Sequence, residues 1–165
     1  MPFQYSKTTI YRLTQAAKAQ RSRFGTRLSG IGLHPGQEGV LKALTVQDGM
    51  TMSELAAELG VQPPTVTKMV TRLAAYGFVM RQTSPDDGRL SRVHLTEPGR
   101  ALIGDIDKIC KRLEKEALEG FDEKDRKRFR KYLRKVEKNL LKAGGAPIGP
   151  DSDDDEDDTA EDATT

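Results

Sequence analysis

A chain of 165 residues with 36% hydrophobic side chains can build one modest core, and a second copy would help to bury what that core leaves over. Aromatics at 5% with no Trp argue against a strand-rich sandwich or barrel, and the lone Cys110 excludes an intrachain disulfide. The formal charge of +2 conceals a division: nine of the 25 acids lie in residues 151 to 165, leaving 16 acids against 27 bases and +11 on residues 1 to 150.

Such a basic body attracts polyanions. The acidic tail is too polar to pack and is expected to be disordered, either as a solubilising appendage or as a competitor for the basic surface. No apolar run nears the ~20 residues of a membrane span, and the opening MPFQYSKTTIYRL lacks a basic segment followed by an apolar one. A cytoplasmic protein without a membrane partner is expected.

Ile10, Leu13, Ala17, Phe24 and Leu28 recur at helical spacing, predicting a first helix from Phe3 to about Leu28. Ser29-Gly30 and Gly32 punctuate the chain. Pro35 suits a first helical turn, so a second helix is read from Pro35 to about Gln47 on Val40, Leu41 and Leu44, with Asp48-Gly49 as its stop. Next, Thr51 and Glu54 have capping-box spacing, with Met50 and Leu55 at the staple positions. The short helix that starts at Met52 should end at Gly60, which can take the left-handed conformation. Gln62 then opens another helix whose first residues, Pro63 and Pro64, lack only N–H groups that a helix leaves unpaired anyway. Two helices so closely joined form a helix-turn-helix.

In the second of these helices Val66, Met69, Val70 and Leu73 share one face, leaving Pro64, Thr65, Thr67, Lys68, Thr71 and Arg72 on or beside the other. That outward face has no acid. Short hydroxyl side chains near the helix start suit base edges in a major groove, and cations farther along suit phosphates; a solvated helix face has a similar composition. Beyond Gly77, FVMRQ and LSRVHLT alternate apolar and polar residues around TSPDDGR, predicting a two-stranded hairpin, or wing. Arg81, Arg89 and Arg92 surround its loop. An arginine at such a tip can enter a minor groove, and Asp87 is placed to hold Arg89.

Thr96 is expected to cap a long helix to about Leu118, carrying Leu102, Ile106, Ile109, Leu113 and Leu118. After Gly120, Asp122 opens a last helix with Phe129, Tyr132, Leu133, Val136 and Leu140. A small winged core cannot cover both stripes and that of the first helix, so a second copy in a two-fold dimer is the economical partner; an intrachain bundle is the other solution. Gly144, Gly145, Pro147, Gly149 and Pro150 make a hinge to the tail.

LHPGQEGVLKAL (33 to 44), SELAAELGVQPPTVTKMVTRLAAYGFV (53 to 79) and SPDDGRLSRVHLTEPGR (84 to 100) in this order resemble the MarR family of bacterial winged-helix regulators. The resemblance spans about residues 5 to 142. It implies a mainly α fold with a small β-hairpin wing: an N-terminal dimerisation helix in 1–34, a DNA-binding winged helix-turn-helix in 35–100, and C-terminal dimerisation helices in 101–143. A disordered Gly/Pro hinge and acidic tail occupy 144–165. By resemblance Gln62 to Tyr76 is the recognition helix, with Pro64, Thr65, Thr67 and Lys68 at bases or adjacent phosphates and Arg72 at a phosphate; Gln62 at the helix start and Thr71 on the outward face complete the expected DNA-binding set. Asp87 and Arg89 match the acid and the minor-groove arginine of the family's wing, where Ser84 and Gly88 depart from its pattern, and Arg81 and Arg92 of the hairpin are expected at the DNA beside them. It further implies a homodimer on a pseudo-palindromic double-stranded operator, in its simplest form a repressor released by a small aromatic or phenolic ligand.

An enzyme is not expected, because His34, His94 and Cys110 form no nucleophile–base pair or metal cluster in the sequence; no cofactor or metal is implied. Both histidines read as structural, and Cys110 as a small packed residue. The competing reading is a nucleoid-type protein that coats DNA without sequence preference, as the +11 body suggests.

Overall fold

In the computed structural model residues 3–83 and 91–142 are described. The wing turn, with Asp87 and Arg89, and the hinge and acidic tail lie outside them. The described chain is mainly helical with one small antiparallel sheet, as expected: α1 (Thr9–Ser29), α2 (Gln37–Val46), β1 (Met50–Thr51), α3 (Met52–Leu59), α4 (Pro63–Ala75), β2 (Val79–Thr83), β3 (Ser91–Leu95), α5 (Glu97–Ala117) and α6 (Glu123–Lys142). Among the described residues no helix is long and apolar enough to cross a membrane.

Local capping sets most helix starts. The Thr8 hydroxyl accepts from the Tyr11 N–H at 3.0 Å, so α1 begins at Thr9 rather than near Phe3, and a single 3-10 turn (Tyr5–Lys7) precedes it. The first turn of α2 also differs from expectation. Pro35 lies outside the helix, because Gly36 adopts φ +95° and forces the turn, and α2 starts only at Gln37. A side chain at Gly36 would also meet the Met69 methyl at 2.5 Å, which fits α2 closely against α4. The capping box of α3 is complete: Glu54 N–H donates to Thr51 Oγ1 at 3.2 Å, and Thr51 N–H to Glu54 Oε2 at 2.7 Å. Gly60 ends α3 at φ +60°, and Val61 N–H returns to the Ala56 carbonyl. Asp122 Oδ1 receives the Asp125 N–H at 2.7 Å and starts α6.

The sheet has three strands in the order β1-β3-β2, where only a hairpin was expected. Met50 and Thr51 pair with Val93 and Arg92. Two residues are too few to show a period of two, and Thr51 carries the stronger local signal of a helix cap. In the hairpin Val79 faces Leu95 and Thr83 faces Ser91.

Leu28, Leu33, Leu41 and Leu44 meet Leu55, Val66, Val70 and Leu73 in one core, closed by Val93 from the sheet and Ile106 from α5. Thr96 joins this lobe to α5. Its hydroxyl donates to the Gly77 carbonyl at 2.6 Å and accepts from Gly99 N–H at 3.2 Å, while its own N–H donates to the Phe78 carbonyl at 3.2 Å. Farther along, Glu116 of α5 receives both its oxygens' bonds from Arg27 at 2.5 Å, with Arg112 at 3.3 Å and Arg23 at 3.5 Å. The Arg27 hydrogen bond outweighs the opposing effect of burial and, with the charges of Arg27 and Arg23 and the Arg112 bond, holds the Glu116 carboxyl below its ordinary range. Lys42 and Asp107 tie α2 to α5 at 2.7 Å.

Two features depart from a self-contained chain. Cys110 is exposed rather than packed, a correction to the sequence reading: the core-facing stripe passes through Ile106 and Ile109, and the next residue turns away. α6 buries no residue, and Tyr132 and Leu140 remain 63% and 56% exposed.

A Cβ at Gly99 would lie 2.1 Å from the Phe78 carbonyl oxygen, a backbone atom that cannot swing aside. Gly99→Ala is therefore expected to destabilise the fold by about 3 kcal/mol, the upper end for overpacking, read as a lowered thermal midpoint in circular dichroism. An unchanged midpoint would contradict the close approach.

Candidate nucleic-acid interface

The outward surface of α4 follows from its inward one. Val66, Val70 and Leu73 are buried, which fixes the rotation of the helix and leaves Gln62, Pro64, Thr65, Thr67, Lys68, Thr71 and Arg72 exposed together. Gln62 is the N-cap residue, although its side chain makes no capping bond. Pro63 and Pro64 remove two of the N–H groups a helix start normally offers to an anion. Recognition at this end therefore falls to side chains. Neither Lys68 nor Arg72 pairs with an acid among the described residues, so both cations remain available to a polyanion.

The threonines are less free than their exposure suggests. Thr67 donates its hydroxyl proton to the Pro63 carbonyl at 3.0 Å, and Thr71 donates to the Thr67 carbonyl at 2.7 Å. With its proton committed to the Pro63 carbonyl, the exposed Thr67 side chain keeps a methyl group and oxygen lone pairs to offer a partner. Such a surface accepts bonds from the amino groups of adenine or cytosine and packs on a thymine methyl.

Arg81 and Arg92, predicted to approach DNA from the wing, also fasten it to the lobe. Arg81 Nη2 donates to Thr71 Oγ1 at 2.8 Å, with the Thr67 carbonyl at 3.5 Å, so β2 is pinned to the outer face of α4. Arg92 Nη1 donates to the Gly49 carbonyl at 2.8 Å. Both side chains remain exposed, and their positive charge stays at the surface. From Met80 onward β2 is exposed on both faces, whereas β3 still buries Val93 and Leu95. The hairpin thus leaves the core as it extends.

A second fastening was not legible in the sequence. Asp48, predicted only as a helix stop, accepts the Leu95 N–H at 2.8 Å through Oδ1, while its Oδ2 lies 2.9 Å from His94 Nδ1. Burial works to raise this carboxyl, but the Leu95 and His94 hydrogen bonds and the charges of His94 and Arg100 outweigh it and hold the group below its ordinary value. His94 is accordingly structural, as expected, and His34 uses its backbone to cap against Gln37. Among the described residues no three His, Cys, Asp or Glu side chains gather as metal ligands.

A MarR family model matches residues 33–91, the span from the α2 approach to the start of β3. The uncharacterized HTH-type transcriptional regulator YwoH of Bacillus subtilis is 30% identical over 125 residues, covering 76% of this chain and 90% of that protein. Among solved structures, Bordetella bronchiseptica BpsR, described with the regulation of its DNA binding by 6-hydroxynicotinic acid, superposes with a TM-score of 0.74 at 24% identity. That match covers 82% of this chain and 97% of the other. A mutant MarR from E. coli complexed with operator DNA gives 0.73 at 22% identity, over 82% and 99%.

Asp48 has a depressed folded value, so its stabilisation is complete above the ordinary 3.8 and is lost as pH falls through the folded value. Asp48→Ala is expected to cost about 1 kcal/mol near neutral pH, and the gap to the parent should close in acid below 3.8. Thermal midpoints of both proteins across that range measure it; a gap independent of pH would contradict the charged tie.

Proposed function

The chain belongs to the MarR family of DNA-binding transcriptional regulators, which are not enzymes, and we propose that it acts as a homodimeric repressor on a pseudo-palindromic operator. The observation that carries this reading is the acid-free outer face of α4, with Lys68 and Arg72 paired to no acid among the described residues and the wing fastened beside it by Arg81. Two copies of α4 about 34 Å apart would enter successive major grooves on one side of a duplex. Thr65, Thr67 and Lys68 read base edges or the adjacent phosphates, with Gln62 and Pro64 bordering them. Arg72 binds a phosphate. Thr71 serves through its bond to Arg81, and Arg92 and Arg81 hold the wing while adding positive potential. Arg89 at the tip, steadied by Asp87, enters the minor groove; both lie outside the described residues.

Dimerisation follows from the surfaces left uncovered. Residues 1–34 and 101–143 would supply the two-fold interface and 35–100 the DNA lobe, with the stripe of α6 as the part in greatest need of a partner. The operator complex of the E. coli relative supports the mode of binding. Release by a small aromatic or phenolic ligand is supported by the 6-hydroxynicotinic acid response of BpsR. A ligand that favours another separation of the two α4 helices would take them out of register with the grooves. This regulator would work in the cytoplasm, where its operator is.

The competing reading, a protein that coats DNA indiscriminately, predicts another binding pattern. A specific complex has a dissociation constant of about 10⁻⁸ to 10⁻¹¹ M, against about 10⁻⁴ to 10⁻⁶ M for nonspecific contact. At fixed salt, the protein is expected to bind the duplex upstream of its own gene at least a thousandfold more tightly than a scrambled duplex. Equal affinities would overturn the repressor reading. Lys68→Ala is expected to cost about 1–3 kcal/mol on the preferred operator and to alter which base is preferred. Arg89→Ala should weaken binding to every duplex, and an unchanged affinity would remove the wing from the interface.

A further inference from the structure

α6 divides the charge of the chain as sharply as its apolarity. It carries ten bases and three acids, so this one helix holds +7 of the +11 on residues 1 to 150. Phe129, Leu133, Val136 and Leu140, spaced four, three and four apart, lie on one side. Lys124, Lys127, Lys131, Lys135 and Lys138, spaced three, four, four and three apart, lie on the opposite side. These five lysines are exposed, and none forms a salt bridge with a described residue. An interface made by the apolar side would leave this band facing outward.

We propose that the acidic tail, residues 151–165, lies back along the lysine band of its own α6. Three features select this occupant. Its nine acids complement the +7 of the helix. Only residues 143–150 separate the two, and a link that short gives the tail an effective concentration in the millimolar range at the band. Length also matches: 15 extended residues reach about 50 Å, enough to run the whole ~30 Å of a 20-residue helix in the reverse direction. Single exposed ion pairs are weak, so the contact rests on their number and dissolves with salt. Its consequence is that the +7 of α6 is neutralised from within. A duplex is then attracted to α4 and the wing rather than to α6. The proposal does not depend on the operator reading.

The test is carbodiimide coupling of the full chain at low salt, which joins carboxylates only to amines they touch, followed by peptide mass mapping. Acids of 151–162 are expected on Lys131, Lys135 and Lys138, within a single chain on a denaturing gel, with loss of the links at about 1 M salt, where the screening length is ~3 Å. Links to Lys68, links that yield covalent dimers, or no links at all would overturn it. A chain ending at Pro150 should also bind a scrambled duplex more tightly at low salt. The slope of log affinity against log salt should steepen by about 0.9 for each lysine that then reaches a phosphate. Equal slopes for the full and shortened chains would overturn the shielding.

Discussion

The approach of Gly99 to the Phe78 carbonyl is the constraint on which the rest of the structure depends. At that point the end of the helix-turn-helix, the first residues of the hairpin and the start of α5 come together, with Thr96 bonded to Gly77, Phe78 and Gly99. Any side chain at Gly99 would force α5 away. Because α5 also carries the Glu116 and Asp107 ties to α1 and α2, its direction sets the placement of the lobe relative to the helices left uncovered. A change in how two chains meet along those helices would reach α4 through this junction, which has little room to deform.

Around the junction, polar side chains do what a small hydrophobic core cannot. Arg81, Arg92 and Asp48 each cross from one element to another and fix a hairpin that leaves the core after Val79. The two arginines also keep their positive charge at the surface. Structure and recognition are therefore not separable at the wing: a guanidinium that holds β2 to α4 also raises the potential over α4.

What the sequence made legible was local. The Thr51–Glu54 box, the Gly60 stop, the Thr96 cap and the apolar face of α4 all lie within a few residues of what they determine, and each was found where it was expected. Pro35 was misplaced because a proline suits a first turn as well as the bend before one, and Gly36 at φ +95° decided between them. The third strand was hidden by its length, and Cys110 by its place at the margin of an amphipathic face. For the candidate site, the exposed face of α4 could be read from helical periodicity. The roles of Arg81, Arg92 and Asp48 could not, since their partners are 10, 43 and 47 residues away and no local pattern announces them.

The central claim is that two copies of α4 are held in fixed register for successive major grooves. Hydroxyl-radical footprinting of the protein on the duplex upstream of its gene tests it most directly. The account predicts two symmetric protected patches about one helical turn apart, on one face of the DNA. Uniform protection along the whole duplex, or a single patch without a symmetric mate, would contradict it.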